Sequence, residues 1–269
     1  MTFAAINGFR MNYEVSGNPD GPWLTMSHAL ANNLTLWDHV AEELGKEFRI
    51  LRYDQRGHGE TQAPVGPYGF PDLLGDVLAL WDSLGILRSH WIGLSIGGMI
   101  GYGLGIHNSD RLLSLIACDS QAIAPPDYAA YFQKRIDKAA AGGMESLITP
   151  TLERWFTPET IEREDPVLQK VGAMIRTTTI EGHAGCCEAL KTLNYADQLG
   201  RIRVPTLIVG GEGDKGAPPS ALADVANLIS GAHHEVIPAA GHISALENPE
   251  AFLDVVRSFL ADEAASTPA

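Results

Sequence analysis

Ser89-His90-Trp91-Ile92-Gly93-Leu94-Ser95-Ile96-Gly97-Gly98 is the stretch that decides the fold. A strand-like apolar run enters G-x-S-x-G, and a glycine-rich helical pattern leaves it. Such a strand-to-helix turn pushes a serine hydroxyl out of the end of a sheet. The backbone at the serine is strained, so small residues must flank it, and Gly93 and Gly97 supply them. Gly98 lets the new helix pack closely. The helix N-terminus beneath Ser95 brings partial positive charge to the place where an oxyanion would develop.

The same alternation runs outward in both directions. Asn7-Gly8 between Phe3–Ile6 and Met11–Val15 is a two-residue hairpin signal. Short apolar strands are expected at 23–27, 48–53, 90–94, 113–118, 206–210 and 234–237. Helical patterns separate them at 34–44, 71–84, 96–107, 218–229 and 249–260. Continuous apolar strands alternating with helices predict an α/β protein with a mostly parallel central sheet flanked by helices. The alternation breaks between Gln121 and Gly200. That segment carries helical patterns at 129–141, 151–156 and 186–199, punctuated by Pro125-Pro126, Gly142-Gly143, Pro150 and Pro158. The reading is therefore a core built from residues 1–120 and 201–269, with residues 121–200 inserted as a helical cap over the strand ends. Ligands of such sheets bind outside the carboxyl ends of the strands, so a cap there would roof the site. The tail from Ala264 to Ala269 is expected to fray.

A serine nucleophile needs a base, and the base needs an orienting carboxylate. In this kind of fold the chain order is serine, acid, histidine. Asp214 follows the run Thr206–Val209, and His242 follows His234–Ile237 in Ala239-Ala240-Gly241-His242. Both fall on loops at strand C-termini, as Ser95 does. Competing acids are Glu212, earlier in the same loop, and Asp119, after the strand that follows the serine. His233 and His234 lead into the last strand, and His58, in Arg56-Gly57-His58-Gly59, reads as a structural turn histidine; His242 stands out by its Gly-His context together with the chain order. For an oxyanion hole the expected donors are the backbone N–H groups of Ile96 and Leu30, the latter in Ser27-His28-Ala29-Leu30-Ala31-Asn32-Asn33. The side chain of His28 is read as organising that loop.

The chain has 269 residues and a formal net charge of −14. That acidity argues against nucleic acid and anionic membranes as partners, since both require clustered Lys and Arg. Cys118, Cys186 and Cys187 form no disulfide pattern, and Cys118 lies in an apolar run. The N-terminus does not read as a signal peptide, and no apolar run reaches membrane-spanning length. The expectation is a reduced, soluble, cytoplasmic protein. There is no zinc-ligand spacing and no phosphate- or dinucleotide-binding pattern, so no cofactor or metal is expected. Homo-oligomerisation stays open.

With these pieces in place the chain resembles the α/β-hydrolase fold family over essentially its whole length. The resemblance rests on Ser27–Asn33, on Arg52-Tyr53-Asp54-Gln55-Arg56-Gly57-His58-Gly59, on the Ser95 turn, on Asp214 and on Gly241-His242. Within that family it is similar to 3-oxoadipate enol-lactonases. Ala29 stands where the usual loop has glycine, and Trp37-Asp38 follow. Pro67-Tyr68, Asp72-Leu73, Asp76–Leu80 and Cys186–Leu190 also look like that group. The resemblance implies hydrolysis of a small enol-lactone within aromatic-acid degradation. A carboxylated lactone would need a cationic anchor, for which Arg135, Arg154 and Arg176 are candidates. Two other readings stay open: a general carboxylesterase or perhydrolase, and a ligand-sensing protein with little turnover.

Overall fold

Asn7 and Gly8 adopt left-handed backbone, with φ of 47° and 84°, as a two-residue hairpin turn between right-twisted strands requires. They join β1 (Thr2–Ile6) to β2 (Phe9–Gly17) in antiparallel register, Ile6 opposite Phe9. The computed structural model describes residues 1–266, and residues 267–269 of the tail lie outside the described residues. Six further strands follow: β3 (Trp23–Ser27), β4 (Arg49–Tyr53), β5 (Ser89–Leu94), β6 (Leu112–Cys118), β7 (Thr206–Gly211) and β8 (His233–Ile237). They form one eight-stranded sheet in the order β1-β2-β4-β3-β5-β6-β7-β8. β2 meets β4 antiparallel, and every later pairing is parallel. The apolar runs of the inner parallel strands are what burial on both faces demands, while the edge strand β8, His233-His234-Glu235-Val236-Ile237, is mostly exposed. Leu24, Met26, Ile50, Trp91, Ile92, Ile116 and Ile208 are all fully buried.

Helices α1 (Asp38–Leu44), α2 (Phe70–Ser83), α3 (Ile96–His107), α9 (Pro219–Asn227), α10 (Ser244–Glu247) and α11 (Pro249–Ser266) accompany the strands. In α2, Leu73, Leu74, Val77, Leu80 and Trp81 form one buried face at helical spacing. Burying each such side chain stabilises the fold by about 1.5–3 kcal/mol. α3 starts directly after Ser95 and is buried from Ile96 to Ile106. Its glycines allow this approach: a Cβ on Gly101 would press against Trp91 and Leu115 at 2.6 Å. α11 runs through to Ser266, so the part of the tail from Ala264 to Ser266 is helical.

Between β6 and β7 the chain forms α4 (Tyr128–Gly142), α5 (Ile148–Trp155), α6 (Pro158–Glu162), α7 (Pro166–Thr177) and α8 (Ile180–Lys191), and among the described residues it adds no strand to the sheet. The helix expected over 186–199 is not continuous. α8 ends at Lys191, the chain turns at Thr192 with its hydroxyl on the Ala189 carbonyl (3.0 Å), and Asn194 makes a single β-bridge to Ile123. A short 3-10 turn at Ala196–Arg201 then leads back to the sheet. β3 lies between β4 and β5; the connection from β3 runs to β4 on one side, and that from β5 runs to β6 on the other. That reversal opens a crevice at the carboxyl ends of β3 and β5. Ser27–Asn33 and Ser95 occupy those ends.

Candidate active site

Ser95 sits at φ 55° and ψ −119°, a backbone that non-glycine residues adopt only where their surroundings force it. The forcing contacts are visible. The Ser95 N–H donates to the Cys118 carbonyl at 2.8 Å. Ser120 Oγ donates to the Ser95 carbonyl at 2.8 Å. A Cβ on Gly93 would collide with the Gly97 carbonyl, and one on Gly97 with the Ser27 carbonyl. Both glycines of the motif are steric requirements.

A chain of hydrogen bonds runs from this serine. Ser95 Oγ lies 3.0 Å from His242 Nε2, and His242 Nδ1 lies 2.8 Å from Asp214 Oδ2. Asp214 is further held by the Gly216 N–H at 2.6 Å. The imidazole is buried, and burial pulls its pKa down. The charge and hydrogen bond of Asp214 outweigh that, so the net shift is upward. Burial alone would raise Asp214, but the His242 charge and hydrogen bond, with backbone N–H groups, bring it below its usual value. Geometry and electrostatics agree on a serine within reach of a base whose charged form is favoured.

The competing residues lie elsewhere. Glu212 accepts from the Ala239 N–H at 3.2 Å on the exposed side of the loop. Asp119 is fully buried and bonds to Gly211 and Ser244, not to His242. His233 and His234 belong to β8. His58 Nδ1 bonds to the Arg56 carbonyl, and burial, then the His28 ring, hold its pKa down to about 3.

The loop after β3 is organised by His28. Its Nδ1 lies 2.7 Å from the Ala29 carbonyl, and the Gln55 N–H donates to its Nε2 at 2.9 Å. One nitrogen donates and the other accepts, so the ring is neutral, and burial lowers its pKa to about 4. Ala31 takes a φ of 59°. Among the described residues the Leu30 N–H has no acceptor. Ile96 opens α3, and N–H groups in a first helical turn lack intrahelical acceptors. Both groups are free to bind an anion.

Leu30, Ser95, Tyr128, Tyr131, Phe132, Arg135, Arg154, Trp155, Leu190, Gly216 and His242 line one pocket. Its free space is about 30 Å³, little more than a water needs. Larger grooves of about 410 Å³ beside β8 and about 550 Å³ beside α2 lack this serine–histidine pair. Of the three candidate arginines, Arg176 is at the surface and holds Glu145 at 2.6 and 3.0 Å. Arg154 lies 4.7 Å over the Tyr131 ring. Arg135 is buried; its Nη1 donates to Thr151 Oγ1 at 3.0 Å, while Nε and Nη2 have no partner. Trp37 and Asp38 do not line the pocket. Trp37 packs 6.2 Å from Phe252, and Asp38 pairs with Arg52 at 2.7 Å.

The chain belongs to the α/β hydrolase fold family, whose profile matches residues 22–249. It is 33% identical over 252 residues to 3-oxoadipate enol-lactonase 2 of Acinetobacter baylyi, spanning 93% of this chain and 92% of that one. A putative carbamate hydrolase of Stutzerimonas stutzeri is 26% identical over 94% of this chain and 97% of its own length. The crystal structure of the enol-lactonase from Burkholderia xenovorans LB400 superposes with a TM-score of 0.93 at 36% identity, covering 97% of this chain and all of that one. Among the described residues, no helix is long and apolar enough to cross a membrane.

Proposed function

We propose that this protein is a serine hydrolase that opens a small carboxylated lactone, of the enol-lactone type, through an acyl-enzyme. The observation that carries the reaction class is the Ser95–His242–Asp214 chain, at 3.0 and 2.8 Å. Ser95 Oγ attacks the lactone carbonyl and passes its proton to His242 Nε2. Asp214 orients the imidazole and stabilises its charged form. The N–H groups of Leu30 and Ile96 stabilise the oxyanion. Collapse breaks the acyl–oxygen bond, and His242 returns the proton to the ring oxygen, which stays tethered to the acyl group. Water, deprotonated by His242, then releases the diacid and restores Ser95.

Arg135 supports the carboxylated substrate. The edge of a guanidinium formed by Nε and Nη2 matches a carboxylate bidentately. Arg56 uses that edge on Asp76 at 2.6 and 2.7 Å. Arg135 lines the pocket, and its Nε and Nη2 are buried without a hydrogen-bond partner. A buried guanidinium left so is costly unless a ligand completes it. The residues 121–200 act in this reading as the cap that selects the substrate, since Tyr128, Tyr131, Phe132, Arg135, Arg154, Trp155 and Leu190 all come from them.

The test compares kcat/KM for a carboxylated five-membered lactone, an uncharged lactone of equal size, a short aryl ester and a long-chain ester. The carboxylated lactone is expected to be fastest. A preference for the long ester with no ring opening moves the protein to the general carboxylesterases. No turnover of any of the four moves it to ligand sensing.

A further inference from the structure

We propose that Asp119 is a positioning residue for the Asp214–His242 pair, because its carboxylate clamps the loop that carries one to the loop that carries the other. The inference rests on the reading of Ser95, His242 and Asp214 as the reacting groups. Asp119 directly follows β6 and takes a left-handed φ of 52°. Its own N–H donates to the Val209 carbonyl in β7 at 2.8 Å. Its Oδ1 accepts from the Gly211 N–H at 2.8 Å, and its Oδ2 lies 2.6 Å from Ser244 Oγ. Gly211 is the last residue of β7, three before Asp214. Ser244 opens α10, two after His242.

The side chain touches neither Ser95 nor the pocket, so it does not take part in bond making. It controls the relative placement of two loops whose side chains must meet at 2.8 Å. A fully buried residue in a disfavoured backbone, with both carboxylate oxygens spent on two different functional loops, is hard to explain as a local turn cap. A cap would need one bond to its own loop. Burial, and then the Asp214 charge, also push the Asp119 carboxyl up. Asparagine at this position would retain an acceptor for Gly211 and a donor for Ser244.

The experiment measures kcat, KM and Tm with a short-chain aryl ester for the parent, Asp119→Ala, Asp119→Asn, Ser244→Ala and Ser95→Ala. A misplacement of the order of an ångström in a reacting geometry costs roughly 10- to 100-fold in rate. Asp119→Ala should lose kcat on that scale with KM little changed. Ser244→Ala, which cuts one arm, should lose less, and Asp119→Asn should restore kcat to within about threefold of the parent. A merely structural role would lower Tm and leave kcat of the folded enzyme unaltered. The clamp is overturned if both alanine variants keep parental kcat, or if asparagine does no better than alanine. Should Asp119→Ala fail to fold, Ser244→Ala and Asp119→Asn decide by the same criteria. Activity retained in Ser95→Ala would instead sink the nucleophile assignment itself.

Discussion

Trp155 and His242 are joined twice: the His242 N–H donates to the Trp155 carbonyl at 2.6 Å, and the indole centroid lies 5.7 Å from the imidazole. The last residue of α5 thus holds both backbone and ring of the candidate base. Gly241 makes this possible, since a Cβ there would strike the Trp155 carbonyl. The insert between β6 and β7 consequently holds His242 in place as well as lining the pocket around it.

Glu247 secures the same junction. Its Oε1 accepts from the Thr157 N–H at 2.9 Å and hydroxyl at 2.6 Å, and its Oε2 from the Gly241 N–H at 2.7 Å. Glu247→Ala strands these donors at a part-buried site, at about 1 kcal/mol each. Thermal denaturation should show a lower Tm, and kcat should fall because Gly241 precedes His242. Glu247→Gln should lie between the two. Parental Tm and kcat in the alanine variant would refute the link.

Ser95 is the candidate nucleophile and its backbone is strained. Ser95→Ala should lose about 10⁶ in turnover, by analogy with serine proteases, while remaining folded. Ser95→Gly should be equally inactive yet more stable, since glycine adopts φ 55° without the cost of order 1–3 kcal/mol borne by other residues. Denaturant titration of both variants separates the effects. If either keeps a rate within about tenfold of the parent, another nucleophile is at work.

Asp214 and the pH profile go together. The groups facing His242 are Asp214, Asp119 and, from α5, Arg154. His242 must be neutral to accept the serine proton, so the rate should rise with pH through its pKa, which Asp214 holds above the usual 6.5. In Asp214→Asn the negative charge is gone, burial then dominates, and the acid limb should move to lower pH. Turnover should fall by about 10⁴ as well, because asparagine favours the wrong tautomer. A limb that stays in place, with a small loss, would return the acid role to Asp119.

Much of this was readable from residue order. The parallel strands announce themselves as apolar runs ended by glycine or polar residues, and the strained turn at Ser95 by its two glycines. Asp214 and His242 follow from their places after late strands. The inserted helices were harder. Pro158 and Pro166 open α6 and α7 at the first helical position, capped by Thr157 and Asp165. Proline read only as punctuation hides such starts, although the Thr-Pro and Asp-Pro pairs are capping signals. The apolar spacing through Leu190, Leu193 and Leu199 imitates one helix, because the turn at Thr192 depends on contact with Ile123 far away in sequence. Nothing in the sequence separates Arg135 from Arg154 and Arg176. Burial sets it apart from both, and the lack of a paired carboxylate separates it from Arg176 alone.

Arg135 should trade stability for specificity. Its Nε and Nη2 are buried and unpartnered, so Arg135→Met removes an uncompensated charge and should raise Tm. The same change should lower kcat/KM for a carboxylated lactone by about 10- to 100-fold, the worth of a charged hydrogen-bond pair at 1.5–3 kcal/mol. The loss should fall mainly on KM, since the carboxylate is remote from the reacting carbonyl. Turnover of an uncharged aryl ester should be little affected, because that substrate never engages the guanidinium. Arg135→Lys should recover only part of the loss, as an ammonium offers no planar edge. Equal losses on charged and uncharged substrates would show that Arg135 shapes the pocket through packing with Tyr131 and Thr151, and the carboxylate would then have to be held by Arg154.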